Sequence, residues 1–165
     1  MIINCFNTGN IAGNGYVGGI LGADFRANII TIDNCYNTGN LSGDNVGGIC
    51  GNVYSTSDNL GEINISNCYN TGKISIINST NTAYGSGGIL GDCNKGTITQ
   101  CYNIGNIECI DAYRTTLRVG GLIGDGNICV KKCYNEGNIN INSDKDIDCG
   151  GIIGRTWGTN CRRFL

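Results

Sequence analysis

Short alternations of apolar and polar residues recur along the chain, as in Ile30-Thr31-Ile32, Ile63-Asn64-Ile65, Thr97-Ile98-Thr99 and Ile128-Cys129-Val130. A period of two marks a strand with one buried face. The last apolar residue of each run (Ile32, Ile65, Ile98, Val130) falls three before a cysteine. That spacing breaks the alternation and predicts a corner. After it, Asn-Thr-Gly or a variant supplies a turn. A second alternation follows, such as Ile74-Ser75-Ile76 or Ile139-Asn140-Ile141, and then a Val-Gly-Gly-Ile-x-Gly piece. The paired glycines of this third piece predict a close approach of backbones.

The pieces form an internal repeat. Asn4-Cys5-Phe6-Asn7-Thr8-Gly9-Asn10-Ile11 recurs from Asn34, Asn67, Gln100 and Lys132, and Gly18-Gly19-Ile20-Leu21-Gly22 recurs from Gly47, Gly87, Gly120 and Gly150. A partial sixth copy begins at Asn160-Cys161. Successive repeat cysteines are offset by 30, 33, 33, 32 and 28 residues, whereas the step from cysteine to Gly-Gly varies between 12 and 19. Constant anchors with elastic insertions are the signature of a solenoid. The reading is therefore all-β: a parallel β-helix of about five rungs with three short strands per rung, in a single domain over 1–165. A five-bladed propeller is the runner-up, but its four-stranded blades take 40 or more residues each.

Stacking would turn each repeat position into a ladder. Cys5, Cys35, Cys68, Cys101 and Cys133 form one; Phe6, Tyr36, Tyr69, Tyr102 and Tyr134 a second; Asn7, Asn37, Asn70, Asn103 and Asn135 a third, placed to satisfy turn backbone between rungs. Most remaining cysteines stand where sister repeats carry aliphatics. Cys50 replaces Leu21, Leu90, Ile123 and Ile153; Cys149 replaces valine; Cys109 replaces Ile76 and Ile141. Cysteine of this kind behaves as a small hydrophobe, so buried free thiols are expected, with a minority of disulfides as the alternative.

Composition narrows the function more than it identifies it. Charged residues are 15% of the chain and the net charge is −2, with no basic face beyond Arg162-Arg163. A nucleic-acid partner is therefore not expected. No apolar run is long enough to span a membrane as a helix, and no export leader precedes the first repeat, so the chain reads as a segment of a longer array. There is no proline and no histidine. The second absence removes Ser-His-Asp and Cys-His nucleophile systems and histidine-based metal sites.

Cys-Tyr-Asn-Thr-Gly-Asn-Ile/Leu followed by Val-Gly-Gly-Ile/Leu-x-Gly resembles the GLUG-motif repeats of bacterial surface proteins, over nearly the whole chain. The resemblance implies an exported or cell-surface protein of adhesin type. In it these repeats would act as a non-catalytic rigid spacer or adhesion surface, with no cofactor and no catalytic residue to carry over. The partners it implies are host or matrix proteins or glycans, together with self-association through the open ends of the stack.

Candidate chemistry is sparse. The aromatics in or near the variable insertions, Tyr54, Tyr84, Tyr113 and Trp157, are the candidate contacts for a glycan or protein. Asp144, Asp146 and Asp148 alternate as at the start of a calcium loop, but Cys149 occupies the glycine position and Arg155 the final glutamate position, so a solvated acidic loop is expected. Cys129 and Cys133 have one half of a zinc-ligand spacing and no second pair. Cys93 near Lys95 and Cys133 after Lys131-Lys132 are the closest approaches to an activated thiol. Asp92 and Asp125 each follow a Gly-Gly-x-x-Gly element, with Asp24 one residue further along and Asn52 at the equivalent place. They are expected to cap a turn. Alternatively they line a carboxylate cleft of a polysaccharide-acting β-helix, an arrangement that acidic and basic groups meeting in one groove would support. A thiol-rich or metal-bearing scaffold is the remaining alternative.

Overall fold

Every strand in the computed structural model pairs in parallel with its counterpart one repeat away. The structure describes residues 1–25, 29–54, 61–77, 85–109, 116–143 and 146–157. Among them there is no helix, and five rungs stack into a β-solenoid. Tyr84, Tyr113, Asp144 and Cys161 lie outside the described residues.

Each rung has more pieces than the three that alternation suggests. The second rung runs Ile29–Asp33, Tyr36–Asn37, Leu41–Gly43, Asn45–Gly47 and Cys50–Val53. These strands fall in one eight-stranded and three five-stranded sheets. The Tyr-Asn step is only two residues long, too short to show a period. The Gly-Gly-Ile element is split by its own bend, with Val-Gly in one sheet and the residues after Ile in another. In the upper rungs this last strand continues directly into the next repeat, giving Leu90–Thr99 and Ile123–Lys131.

The corner before each cysteine is a single residue in the left-handed region: Asn4, Asn34, Asn67, Gln100 and Lys132 have φ between 51° and 56°. Asparagine tolerates that conformation best among the non-glycine residues. The cysteine that follows completes the corner chemically. Its Sγ donates to the carbonyl two residues back, at 3.2 Å in Cys35 and 3.0 Å in Cys68. The same sulfur accepts the backbone N–H of the preceding rung's cysteine, at 3.3–3.4 Å along the ladder. A methyl-bearing side chain would fill the space but make neither bond.

Two apolar columns run along the stack. One gathers Ile32, Ile49, Ile65, Leu90, Ile98 and the ladder cysteines; the other gathers Leu41, Val46, Ile74, Ile107, Leu117 and Val119. Between them the chain passes once through the Asn-x-Gly step and once through Gly-Gly, and these two crossings touch. A Cβ on Gly88 would collide with the Gly121 carbonyl and the Asn103 side chain, and Gly48 has the same relation to Gly88 and Asn70. The two halves of the repeat motif thus interlock across the section of the coil.

The asparagine ladder runs unbroken through all five rungs. Each Nδ2 donates to the next rung's Oδ1, at 2.7 Å from Asn37 to Asn70 and 2.8 Å from Asn70 to Asn103. The same group also donates to the carbonyl two residues on, Gly39 and Gly72 in these cases. Asn37, Asn70 and Asn103 are fully buried, and their amides satisfy one another and the turn, which burial requires. On the opposite face of the same two-residue strands, Phe6, Tyr36, Tyr69, Tyr102 and Tyr134 stack with centroids 4.9–5.2 Å apart and rings within 7° of parallel.

Candidate functional site

One cavity of about 340 Å³ lies along the stack where the Val-Gly sheet faces the strands that leave the Gly-Gly bend. Its walls are aromatic: Tyr16 and Phe25 from the first rung, Tyr54 from the second, and Trp157 just after the fifth. Tyr16 and Phe25 meet edge to face, with centroids 5.4 Å apart. Its middle is polar and comes from the third and fourth rungs, as Asp92, Asp125 and Arg118. Successive rungs are spaced by about 4.8 Å. The groove therefore takes residues from a stretch of roughly 19 Å along the axis, four rung steps. That is a usual volume for a ligand site, with apolar walls and few convergent polar groups.

Asp92 and Asp125 do not cap a turn. They sit inside the long strands Leu90–Thr99 and Ile123–Lys131 and pair in register, in a row that runs Asn52, Asp92, Asp125, Arg155. Both carboxylates are buried, Asp92 at 7% and Asp125 at 2% exposure. Arg118 reaches them from the facing sheet, and its Nη1 donates to Asp125 Oδ2 in an ion pair. Asp125 Oδ1 is buried without a hydrogen-bond partner among the described residues, and so are both amide atoms of Asn52.

The electrostatics follow from that arrangement. Burial, and then the neighbouring Asp125, push the Asp92 carboxyl up to about 7 against the pull of Arg118. Burial also raises Asp125, while Arg118 and Arg155 act to lower it. Arg155 in turn lies 4.0 Å from Asp148. Two acids and one arginine thus face each other in a desolvated groove, and one of the acids changes charge near neutral pH.

The other sequence candidates resolve differently. Tyr54 and Trp157, 103 positions apart, share the groove. Asp146 is exposed, Asp148 faces Arg155, and no cluster of metal ligands occurs among the described residues. Cys93 is buried, and burial holds its thiol well above the ordinary range despite Lys95 nearby. Cys133 is lowered to about 6, first by its hydrogen bond with Cys101 rather than by the adjacent lysines. Nine described cysteines are free, and Cys129 stands apart from them as disulfide-bonded. A second concavity of about 530 Å³ lies over Glu108 and Ile139–Ile141. Its acid is already engaged, with Lys73 Nζ 2.5 Å from Glu108, so it offers no unbalanced charge.

Tyr16, Phe25 and Arg118 are the groove residues that sequence reading missed. Arg118 stands between apolar Leu117 and Val119, where alternation assigns it to solvent. Gly85, its in-register neighbour one rung earlier, was the available signal, because a residue without a side chain leaves room for a long one beside it. No known family, curated protein or solved structure matches the chain.

Proposed function

We propose that this chain is a binding module: a stiff solenoid that acts as spacer and adhesion surface, with the axial groove as its contact site. One observation carries the reading, namely that the seven residues of the groove come from the first four rungs and from Trp157 just after the fifth, so the ladders that stiffen the stack also fix the site. Such preorganisation favours binding, because little side-chain freedom remains to be lost. The resemblance of the repeats to GLUG-motif arrays supports placement on an exported or surface protein. A glycan, or a segment of a host or matrix protein, is the kind of ligand that an elongated aromatic-walled groove accommodates.

A second reading is favoured by the meeting of Asp92, Asp125 and Arg118 in one groove. Carboxylates on adjacent rungs, one of them protonated near neutrality, suit acid–base work on a polysaccharide. A single experiment separates the two. Polysaccharides are incubated with the protein while Trp157 fluorescence and the release of new sugar ends are followed together. A fluorescence change without new ends supports the binding module. New ends, abolished by Asp125→Asn, support the enzyme. No response to any glycan or matrix protein contradicts the groove as a contact site.

A further inference from the structure

We infer that the groove is a receptor for a primary ammonium group, held between Asp92 and Asp125 and walled by Tyr16, Phe25, Tyr54 and Trp157. The inference rests on the groove being a binding site and names the chemistry of its ligand. Charge is the first argument. Arg118 makes its ion pair with Asp125 and acts on Asp92 only at longer range, and Arg155 lies 4.0 Å from Asp148, so among the described residues Asp92 is the groove carboxylate that forms no ion pair. The second argument is hydrogen bonding. Asp125 lines the cavity, and its Oδ1 is buried with no hydrogen-bond partner among the described residues. A buried acceptor without a partner costs about 1–3 kcal/mol, and a ligand that donates to it would recover that. A primary ammonium has three donors, whereas a quaternary one has none.

Spacing is the third argument. Carboxylates in register on adjacent rungs are about 4.8 Å apart at the backbone, close enough for one nitrogen to donate to both at the 2.7–2.9 Å of a charge-assisted bond. The aromatic walls then receive the carbon body of the ligand and add cation–π attraction. Besides burial, the groups that set the charge of Asp92 are Asp125 on the next rung, which raises it, and Arg118 from the facing sheet and the backbone N–H of Cys93, which lower it; Arg155 acts on Asp125. The Asp92 carboxyl must be ionised to hold a cation. Because its proton leaves near pH 7, affinity rises with pH across neutrality.

The chain has a single tryptophan, Trp157, and it lines the groove, so its fluorescence reports occupancy. Titrations use n-butylammonium, n-butanol as its neutral isostere, tetramethylammonium as a cation without donors, and cellotetraose. The expected result is that n-butylammonium binds at least tenfold more tightly than the other two small probes at pH 8. Its affinity should fall on the order of tenfold by pH 5.5, and Asp92→Asn should remove both the preference and the pH dependence. Asn52 occupies the same row one rung earlier, so asparagine is compatible with the fold there. Equal binding of n-butylammonium and n-butanol, or a pH-independent affinity, overturns the inference. If cellotetraose alone binds, the ammonium inference fails and the groove stands. If no probe or larger ligand binds, both fail. A lysine-containing tripeptide, glucosamine and spermidine, each against its N-acetylated form, then distinguish the carriers of the amine. Tighter binding of any unacetylated form supports the inference, and none doing so contradicts it.

Discussion

Asp92 is the residue at which the stability of the fold and the chemistry of the groove oppose each other. Its carboxyl is raised from an ordinary 3.8 to about 7, so the folded state binds a proton that the unfolded chain has released. A raised acid contributes stability that is complete below the unfolded value and lost as pH rises through the folded one. Wild-type protein should therefore lose stability between about pH 4 and pH 7, by up to about 4 kcal/mol from this residue, at 1.36 kcal/mol per unit. Asp92→Asn should melt higher than wild type at pH 8, with the difference shrinking toward pH 4. Thermal unfolding across that range checks it, and a difference that does not vary with pH would contradict the assigned cause. The same substitution should abolish the ammonium preference, a gain of stability at the expense of function of the kind binding sites show.

At the scale of the element, the repeat is held by ladders of unequal worth. Asn70 makes three buried hydrogen bonds, to Asn37, Asn103 and Gly72. Asn70→Ala should cost about 3 kcal/mol or more, because partners on both neighbouring rungs lose a bond. Tyr69 loses only two ring stacks on a half-buried face, so Tyr69→Ala should cost about 1–2 kcal/mol. Denaturant unfolding of both variants tests the order. The glycines divide in the same way. Gly88→Ala drives a Cβ into the Gly121 carbonyl and Asn103, whereas at the sister position Gly151 no described atom lies within 4 Å. Gly88→Ala should fail to fold or unfold at far lower denaturant, and Gly151→Ala should be near neutral; equal effects would refute the interlocking of the two motifs.

These elements also explain what sequence could disclose. The ladders were legible because identical residues at a fixed offset stack whatever the strand count, and the corner was legible from the broken alternation before each cysteine. The number of strands was not, because Tyr36–Asn37 and its sisters are too short to show a period. The environment of Asp92 was hidden for a related reason. A residue following Gly-Gly-x-x-Gly reads as the start of a turn, and nothing local reveals that Leu90–Thr99 runs straight on. Arg118 and Tyr16 contribute to the groove through register between distant repeats, which no local window contains.

The whole molecule is a stack whose described first and fifth rungs each pair on one side only. Unpaired strand edges template further pairing, so the segment should self-associate end to end as its concentration rises. Light scattering that finds a strict monomer at every concentration would contradict that. Stacking also brings residues from different repeats into one groove. Asp92 and Trp157, 65 positions apart, test it without any ligand. The measurement is a pH titration of Trp157 fluorescence in wild type and in Asp92→Asn. A transition with its midpoint at about 7 is expected in the wild type, and its loss in the variant. A titration that is flat across neutrality, or identical in both proteins, would separate Trp157 from the carboxylates and contradict the groove.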